Sequence, residues 1–539
     1  MMKCAAMHLL RAASLYHSSL ETPLYRVTVR SGLLNRLNLT TTTATISSKT
    51  VVPKIEMMTT KMNETSRRDQ ANIVPQNSQP LAELLDETQL ELLQQQLVPP
   101  NVTYLTRLFR QRGFTLRICG GAVRDLLLGG GTTRINDIDL ASDATPSQMQ
   151  QLFEAHAIRM INNNGVAHGT VTCRLGLGVA EPDYANAESG SKKPASIPDG
   201  CGQNFEITTL RLDKNHDGRH CSVEFCKDWR LDASRRDLTI NSMFIDIETL
   251  CLIDYFDGLS DLRARKIRFV GDPELRIQED YLRILRFFRY MLRIGQSFDN
   301  IEEEYAKEIG IIKKNVKGIK RISTERIWSE MKQIIMLKNS PAIIKCMDNC
   351  EIFENIDYPL PIDFDCFTKL HSECFDLQPE VATFLFALLP KNLRSKQDLS
   401  LLKLSNNNQT TILFLNDNYE KFNSLPSDGD DRLVFMEMMV ALSQRSLRSA
   451  TVNNLIELCK FSCDIRCLEH IKQFSLPDMP INGHDVLKFL ESKMEQSLTV
   501  AKSGDKRQVT NYMSELYKMW VNSRYKMSHK DMLKVLEEL

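Results

Sequence analysis

Asp137 and Asp139 stand two residues apart in the stretch TRINDIDLASDAT, residues 133–145. If this apolar segment is a strand, its side chains alternate between faces, so residues i and i+2 point the same way. The two carboxylates then lie side by side, roughly 7 Å apart along the strand. They repel each other unless a cation sits between them. Hard oxygen ligands on a stiff element suit Mg²⁺, which keeps several waters and takes further ligands from substrate phosphate. The plainer alternative is a strand end whose acids are only solvated. A lone D-x-D does not choose between the two, so the surrounding residues must.

Just upstream runs ICGGAVRDLLLG, residues 118–129. An apolar strand leads into Gly120–Gly121, and a helix is expected from about Ala122. Adjacent glycines let backbone N–H groups approach a ligand, the helix N-terminus adds positive potential, and Arg124 adds a fixed cation. Such turns also arise for structural reasons. Followed closely by D-x-D, however, this one can bring a triphosphate and a metal together. Further on, RRDLTINSM (235–243) places Arg235, Arg236 and Asp237 at an expected helix start, where they could also be a merely charged first turn. EDYLRILRFFR (279–289) is strongly amphipathic. At about 100° per residue, Tyr281, Leu282, Ile284, Leu285 and Phe288 share one arc, and Glu279, Asp280, Arg283, Arg286 and Arg289 the other. Glu279 and Arg283 make a favourable i,i+4 pair. On an isolated helix that polar arc would be a solvated face.

The elements that must position these residues are legible in outline. At 539 residues the chain exceeds one compact core, and about two to four domains are expected. Lys+Arg and Asp+Glu balance at 68 each, so any nucleic-acid site must be a local basic patch. The apolar runs, such as VATFLFALL, fall short of a membrane span. Among 14 cysteines there is no C-x-x-C, which fits a reducing compartment. Cys459, Cys463 and Cys467, with His470 beyond, read as one buried stripe of an amphipathic helix rather than a metal site. His484–Asp485 in INGHDV reads as a helix N-terminus rather than a phosphohydrolase dyad.

Residues 1–55 contain seven Lys or Arg and a single acid, Glu21, with many Ser and Thr, the composition of a mitochondrial transit peptide. Met57 and Met58 follow, and initiation there would yield a cytosolic or nuclear form. Residues 56–80 read as linker, and 80–97 show helical periodicity. From 101 to about 226, strand patterns (TLRICGG, NDIDLA, HGTVTCRL, NFEITTLRL, SVEFC) interleave with short helices. The Gly/Ser/Pro-rich segment 176–202 reads as an exposed insertion. From about 234 onward nearly everything reads helical.

The Gly-Gly and D-x-D combination resembles the nucleotidyltransferase superfamily that includes DNA polymerase β. With RRDLTIN, DYFDGLSDL and EDYLRILR in that order, the chain closely resembles the class II CCA-adding enzymes, the tRNA nucleotidyltransferases. LRLDKNHDGRH (210–220) looks like that family's flexible loop, and RISTERIWSEM (321–331) like the helix start after its nucleotide-binding motif. The resemblance is specific from about 115 to 332.

It implies an α+β fold, in which an N-terminal mixed β-sheet nucleotidyltransferase head is followed by an all-α neck, body and tail. The expected divisions are 1–55 transit peptide, 56–100 linker and helix, 101–230 head, 231–335 neck with a nucleotide-selecting helix, and 336–539 tRNA-binding body and tail. By position, the metal ligands fall on Asp137 and Asp139. Nucleotide-binding residues fall on Gly121, Arg124, Arg236, Asp280, Arg283, Arg286 and Arg289, with Asp237 near the ribose. Glu206, in FEITTL, is a candidate third carboxylate.

The implied reaction is attack by the 3′ hydroxyl of a tRNA with missing or incomplete CCA on the α-phosphorus of CTP or ATP. It needs Mg²⁺ and no nucleic-acid template. Asp280 and Arg283, at i,i+3 on one helical face, are expected to select the base. Lys506, Arg507, Lys518, Arg524 and Lys526 are candidate tRNA contacts. The rival readings are a poly(A) polymerase using ATP alone and a non-catalytic RNA-binding relative. No membrane partner is expected, and the sequence gives no oligomeric state.

Overall fold

The computed structural model describes residues 78–129, 135, 138–162, 165–176, 202–214, 222–392, 394–443, 445–496 and 506–538. The expected transit peptide, Met57, Met58, Asp137, residues 177–201 of the insertion and 215–221 of the basic/acidic loop lie outside the described residues.

Ten strands are described: β1 (Ser78–Pro80), β2 (Leu116–Cys119), β3 (Asp139–Ser142), β4 (Arg159–Asn162), β5 (Thr170–Gly176), β6 (Gly202–Thr209), β7 (Arg211–Lys214), β8 (Ser222–Phe225), β9 (Phe244–Asp246) and β10 (Cys251–Ile253). Eight form one sheet in the order β1-β10-β9-β2-β3-β6-β5-β4, while β7 and β8 form a separate hairpin. Within the large sheet β3 and β6 pair in parallel and the other neighbours are antiparallel.

Alternation along these strands gives the sheet two different faces. Ile118, Leu140, Ile207 and Ile245 point into the main core. Packed on that side are Phe109 of helix α1 (Pro100–Gln111), Val123 and Leu126 of α2 (Gly121–Leu128), and Phe153 of α3 (Pro146–Ala155). Cys119, Ala141, Phe244 and Ile253 point the other way into a small cluster, completed by Ala233 and bordered by Trp229 and Tyr255. Arg117 and Asp246, opposite each other across β2 and β9, form a 3.1 Å ion pair, and the Arg117 guanidinium lies 4.1 Å from the centre of the Trp229 ring. This second face is only partly covered, and it carries the acids.

The head sheet and the mostly helical remainder match the α+β expectation. Four local readings are corrected. The chain returns to the sheet at β9 and β10, within the stretch read as helical; strands of three residues are too short to show alternation. The 279–289 helix is broken: α5 (Pro273–Glu279) ends, Asp280 is extended (φ −152°, ψ 105°), and α6 (Leu282–Ile294) begins. Arg235–Asp237 follow the end of α4 (Trp229–Ser234) rather than opening a helix. Cys459, Cys463 and Cys467 span two helices, because Cys463 adopts a positive φ of 53° and Asp464 caps a new helix at Ile465. Cys459 and Cys467 are nonetheless buried in the core.

α6 is the axle of the helical part. Its inner side buries Leu285, Phe287, Phe288 and Met291, and Phe287 stacks on Phe269 at 5.2 Å with Tyr305 edge-on at 5.7 Å. Each such aromatic contributes on the order of 2–3 kcal/mol by burial. α6 packs against α7 (Thr324–Ile335). At the far end, the helices Gly483–Gln496, Lys506–Asn522 and His529–Glu538 share a separate core of Val486, Leu516, Trp520, Met532 and Leu536. Asn482 and Asp485 bond reciprocally at the start of the first of these, so His484–Asp485 is a helix N-terminus. No helix among the described residues is long and apolar enough to cross a membrane.

Candidate functional site

The strands bring their ends together around Gly120. Cys119 faces Asp139 across β2 and β3, and Asp139 faces Glu206 across the parallel pair. Paired residues of adjacent strands share a face, so Asp139 and Glu206 are neighbours at the exposed margin of the small-cluster face. Gly120 takes φ 70°, ψ −131°, a conformation L side chains rarely adopt. A β-carbon there would lie 3.7 Å from both Asp139 Oδ2 and Arg236 Nη1. Acid and guanidinium therefore both flank this glycine, just where α2 begins. Two hard oxygen donors side by side fit a hard divalent cation; Asp137 lies outside the described residues.

The segment 232–241 holds the next layer. Asp232, buried in α4, pairs with Arg235 at 2.8 Å and Arg236 at 3.0 Å. Burial pushes its carboxyl upward, but the two guanidiniums outweigh this and hold it below the ordinary range. Arg236 also covers the Phe244 ring at 4.7 Å and donates to the Asn241 carbonyl. Asp237 accepts from the Leu238 N–H (2.8 Å), Asn241 Nδ2 (3.2 Å) and Arg286 Nε (2.6 Å). Burial works against its charge as well, yet Arg286, with Arg283 and Asn241, brings it down to about 2.

Arg124 is not a cation exposed at the mouth of the cradle. Its side chain is 2% exposed and bonds to Asn241 Oδ1 at 2.5 Å and Asp125 at 2.9 Å, with the Tyr290 ring centred 4.7 Å away. Gly121 sits against it, 3.5 Å from the site of its β-carbon to Arg124 Nη2. Burial in a charged lattice turns this arginine into a strut between α2, the 241 turn and α6.

The break before α6 changes the geometry around Asp280. Its Oδ1 accepts from the Leu282 N–H, satisfying an orphan donor at the helix start, and its Oδ2 pairs with Arg326 of α7 at 2.7 Å. Asp280 and Arg283 therefore do not share a continuous helical face. They remain linked through the backbone, Arg283 N–H to the Asp280 carbonyl. The Arg283 guanidinium is fixed by Glu279 (2.7 Å) and by the carbonyls of Arg276 (3.0 Å) and Arg235 (2.7 Å). Of its five N–H donors, Nε–H and one on Nη2 are not used by these bonds. Arg289 is held by Glu330 (2.6 Å) and Gln333, and Glu330 also lies 3.7 Å from Arg286.

Arg326, Glu330, Asn241 and Tyr290 thus support the site and were not singled out from the sequence. Arg326 and Glu330 lie in the quoted RISTERIWSEM, but nothing in one sequence says which distant acid or guanidinium a helix will meet. Of the candidate tRNA contacts, Lys518 pairs with Glu515 at 2.8 Å, and the side chains of Lys506 and Arg507 lie outside the described residues.

Comparison with known proteins bears on this arrangement. A family model described as the Poly A polymerase head domain matches residues 116–268, and one described as a probable RNA and SrmB-binding site of polymerase A matches 300–357. The mitochondrial CCA tRNA nucleotidyltransferase 1 of Homo sapiens is 34% identical over 445 residues, covering 82% of this chain and 91% of that one. Its counterpart from Danio rerio is 34% identical over 434 residues, covering 80% and 90%. A crystal structure of the Bacillus stearothermophilus CCA-adding enzyme in complex with CTP shares the fold, with a TM-score of 0.55 at 20% identity over 82% of this chain and 98% of that one.

The Asp237 geometry makes a pH prediction. Its folded pKa lies below the ordinary carboxylate value, so its stabilisation is present above about pH 4 and is lost as pH falls toward 2. The full contribution is about 2 kcal/mol, roughly half of it gone by pH 3. Asp237→Asn removes it. Urea midpoints of wild type and variant should differ most near pH 6, with the gap roughly halved at pH 3 and closing toward pH 2; a gap that stays constant with pH would contradict the assignment.

Proposed function

We propose, for a chain that belongs to the family of CCA tRNA nucleotidyltransferases, that it completes the 3′ end of tRNA from CTP and ATP, without a nucleic-acid template, and releases pyrophosphate. The observation that best supports this is the reach of three consecutive residues. Arg236 and Asp139 both flank Gly120, the Arg235 carbonyl holds Arg283, and Asp237 holds Arg286. One short segment thus ties the acids to the nucleotide-selecting helix.

Asp137 and Asp139, with Glu206 beside Asp139, would hold the divalent metal, Mg²⁺ by donor chemistry, which when bound supplies charge stabilisation to the attacking and leaving oxygens. The chain's own groups do the positioning. Backbone N–H groups at Gly120–Gly121 and the α2 N-terminus would receive phosphate oxygens, in a turn whose positive φ at Gly120 calls for glycine. Arg236 flanks that cradle and Arg286 is held by Asp237, both with fixed orientations, so little entropy is lost when they bond to the triphosphate.

Base choice follows from donor and acceptor inventory. Cytosine and adenine both present an amine donor beside a ring-nitrogen acceptor; uracil and guanine present an oxygen acceptor beside an N–H donor. Asp280 only accepts and Arg283 only donates. C and A are matched, whereas U and G meet acceptor with acceptor and donor with donor. Leaving buried charged groups unpaired costs about 1–3 kcal/mol or more per group, and selection of this kind can reach roughly 10⁴-fold. Arg326 and Glu279 keep both readers oriented before a base arrives.

The match to a model described by poly(A) polymerases keeps one alternative in view: ATP-only tailing. Residues 1–55 direct the chain to mitochondria in this reading, supported by their basic, acid-poor composition and by relatives named as mitochondrial. A product begun at Met57 or Met58 would act outside the organelle.

With a tRNA ending before CCA and each nucleotide supplied separately and together, the purified chain should add C, C and A. A run of A from ATP alone would establish the alternative. Asp280→Ala should lower CTP and ATP use and narrow their advantage over UTP and GTP, leaving tRNA affinity little changed; wild-type selectivity in the variant would exclude Asp280 from base reading. Residues 1–55 fused to a fluorescent reporter should localise it to mitochondria, and a diffuse cytosolic signal would count against the targeting reading.

A further inference from the structure

The break between Cys459 and Cys467 is closed by a thiol where glycine is usual. At the end of the helix Arg448–Phe461, Cys463 N–H donates to the Lys460 carbonyl (3.2 Å) and Asp464 N–H to the Cys459 carbonyl (2.9 Å). This paired closure puts one residue in the left-handed region, which favours glycine because it has no β-carbon. Here that residue is Cys463, at φ 53°. Its side chain turns onto another helix, and Sγ donates to the Glu373 carbonyl at 3.2 Å. The next residue, Cys374, is buried at the end of the helix Phe364–Cys374. The two thiols are side-chain neighbours, and burial together with Cys463 pushes the Cys374 thiol up to about 12.

Exposure sets this pair apart. Cys346 adjoins Cys350, and Cys459 lies beside Cys467, but all four are buried, where a thiol is inert. Cys463 is half-buried, so one member of its pair meets solvent and the other is held behind it. Metal binding does not account for them, since among the described residues no group of three His, Cys, Asp or Glu could hold an ion. The helix that carries Cys374 also carries His371, whose Nε2 donates to the Ile335 carbonyl (3.1 Å) at the end of α7. One helix thus lies between the thiol pair and the element that bears Arg326 and Glu330.

We propose that Cys463 and Cys374 form a reversible oxidation site, closed to an intramolecular disulfide by hydrogen peroxide and reopened by a dithiol, which braces the helical body when closed. The Cys463 sulfur attacks the O–O bond and becomes a sulfenic acid, while the departing hydroxide recovers the thiol proton as water. The Cys374 sulfur then attacks the Cys463 sulfur, the S–O bond breaks, and the second hydroxide leaves as water with the Cys374 proton. Two thiols lose two electrons and two protons in all, and the peroxide becomes two waters. A reducing compartment keeps such bonds transient, which suits a link that responds rather than one that persists. Closure ties the end of the Phe364–Cys374 helix to the turn before Ile465 and shuts the long loop 374–463, where the loss of chain entropy is large.

Peroxide treatment of the full chain tests this, with remaining thiols blocked by N-ethylmaleimide under denaturing conditions and the peptides weighed. Wild type should give a peptide pair joined through Cys374 and Cys463, two hydrogens lighter than the reduced pair and separated by dithiothreitol. The oxidised chain should melt roughly 5 °C higher than the reduced one. Cys374→Ala removes the resolving thiol, so dimedone should trap the sulfenic acid on Cys463. Cys463→Gly suits the left-handed position, so it should fold at least as well as wild type and show neither the cross-link nor the melting rise. Maleimide on both thiols after peroxide, or Cys463 joined to any other cysteine, would overturn the site. A joined pair with no rise in melting would overturn the bracing.

Discussion

The arrangement depends on one buried contact, the 2.6 Å pair between Asp237 and the Arg286 guanidinium. Both groups lose water on folding, and such a pair adds little net stability compared with well-packed apolar side chains. What it adds is position. Removing one partner leaves the other charged and poorly solvated, typically costing about 3–5 kcal/mol, so the turn after α4 and the helix α6 cannot drift apart. The neighbouring contacts share this character: Asp232 with Arg235 and Arg236, Glu330 with Arg289, and Arg124 with Asn241. The result is a lattice of charged groups that crosses from head to helical part through side chains rather than through apolar packing alone.

That lattice explains why so many arginines are needed for so few ligand contacts. Several serve as struts. Arg124 joins three elements, and the Tyr290 ring has the Arg124, Arg286 and Arg289 guanidiniums within 4.5–5.7 Å of its centre. In the proposed function, holding the base-reading and phosphate-facing groups in advance would reduce what binding must order, and preorganised charge is worth most where water is excluded. In the proposed reading it would also set selectivity: an Asp280 free to rotate could accept from a different base edge, whereas the Leu282 N–H and Arg326 restrict it.

Much of the head was legible because its signals are local. Alternation in NDIDLA marked a strand, and the structure sets Asp139 at the start of β3 beside Glu206, a pairing that only long-range parallel register could supply, while Asp137 lies outside the described residues. Gly120 was readable because the positive φ of the turn there calls for glycine. The misreadings share a cause. Helical periodicity in 279–289 ran straight through Asp280, since a polar residue that caps a helix looks the same as one on its exposed face. Arg235–Asp237 read as a helix start because charge runs occur at both ends. Cys459, Cys463 and Cys467 kept their spacing across a break that one positive φ introduces. The partners of the arginines, from Asp237 with Arg286 to Asp280 with Arg326, are tertiary facts with no one-dimensional trace.

A double-mutant cycle tests the central contact most directly. Asp237→Asn, Arg286→Gln and the combination would be compared by kcat/KM for CMP incorporation onto a tRNA lacking its CCA end. If the pair acts as a unit that seats α6, each single substitution breaks the same contact, and the double variant should be little worse than the weaker single. If the two losses instead multiply, Asp237 and Arg286 act independently, and the ion pair is not what joins the selecting helix to the catalytic face.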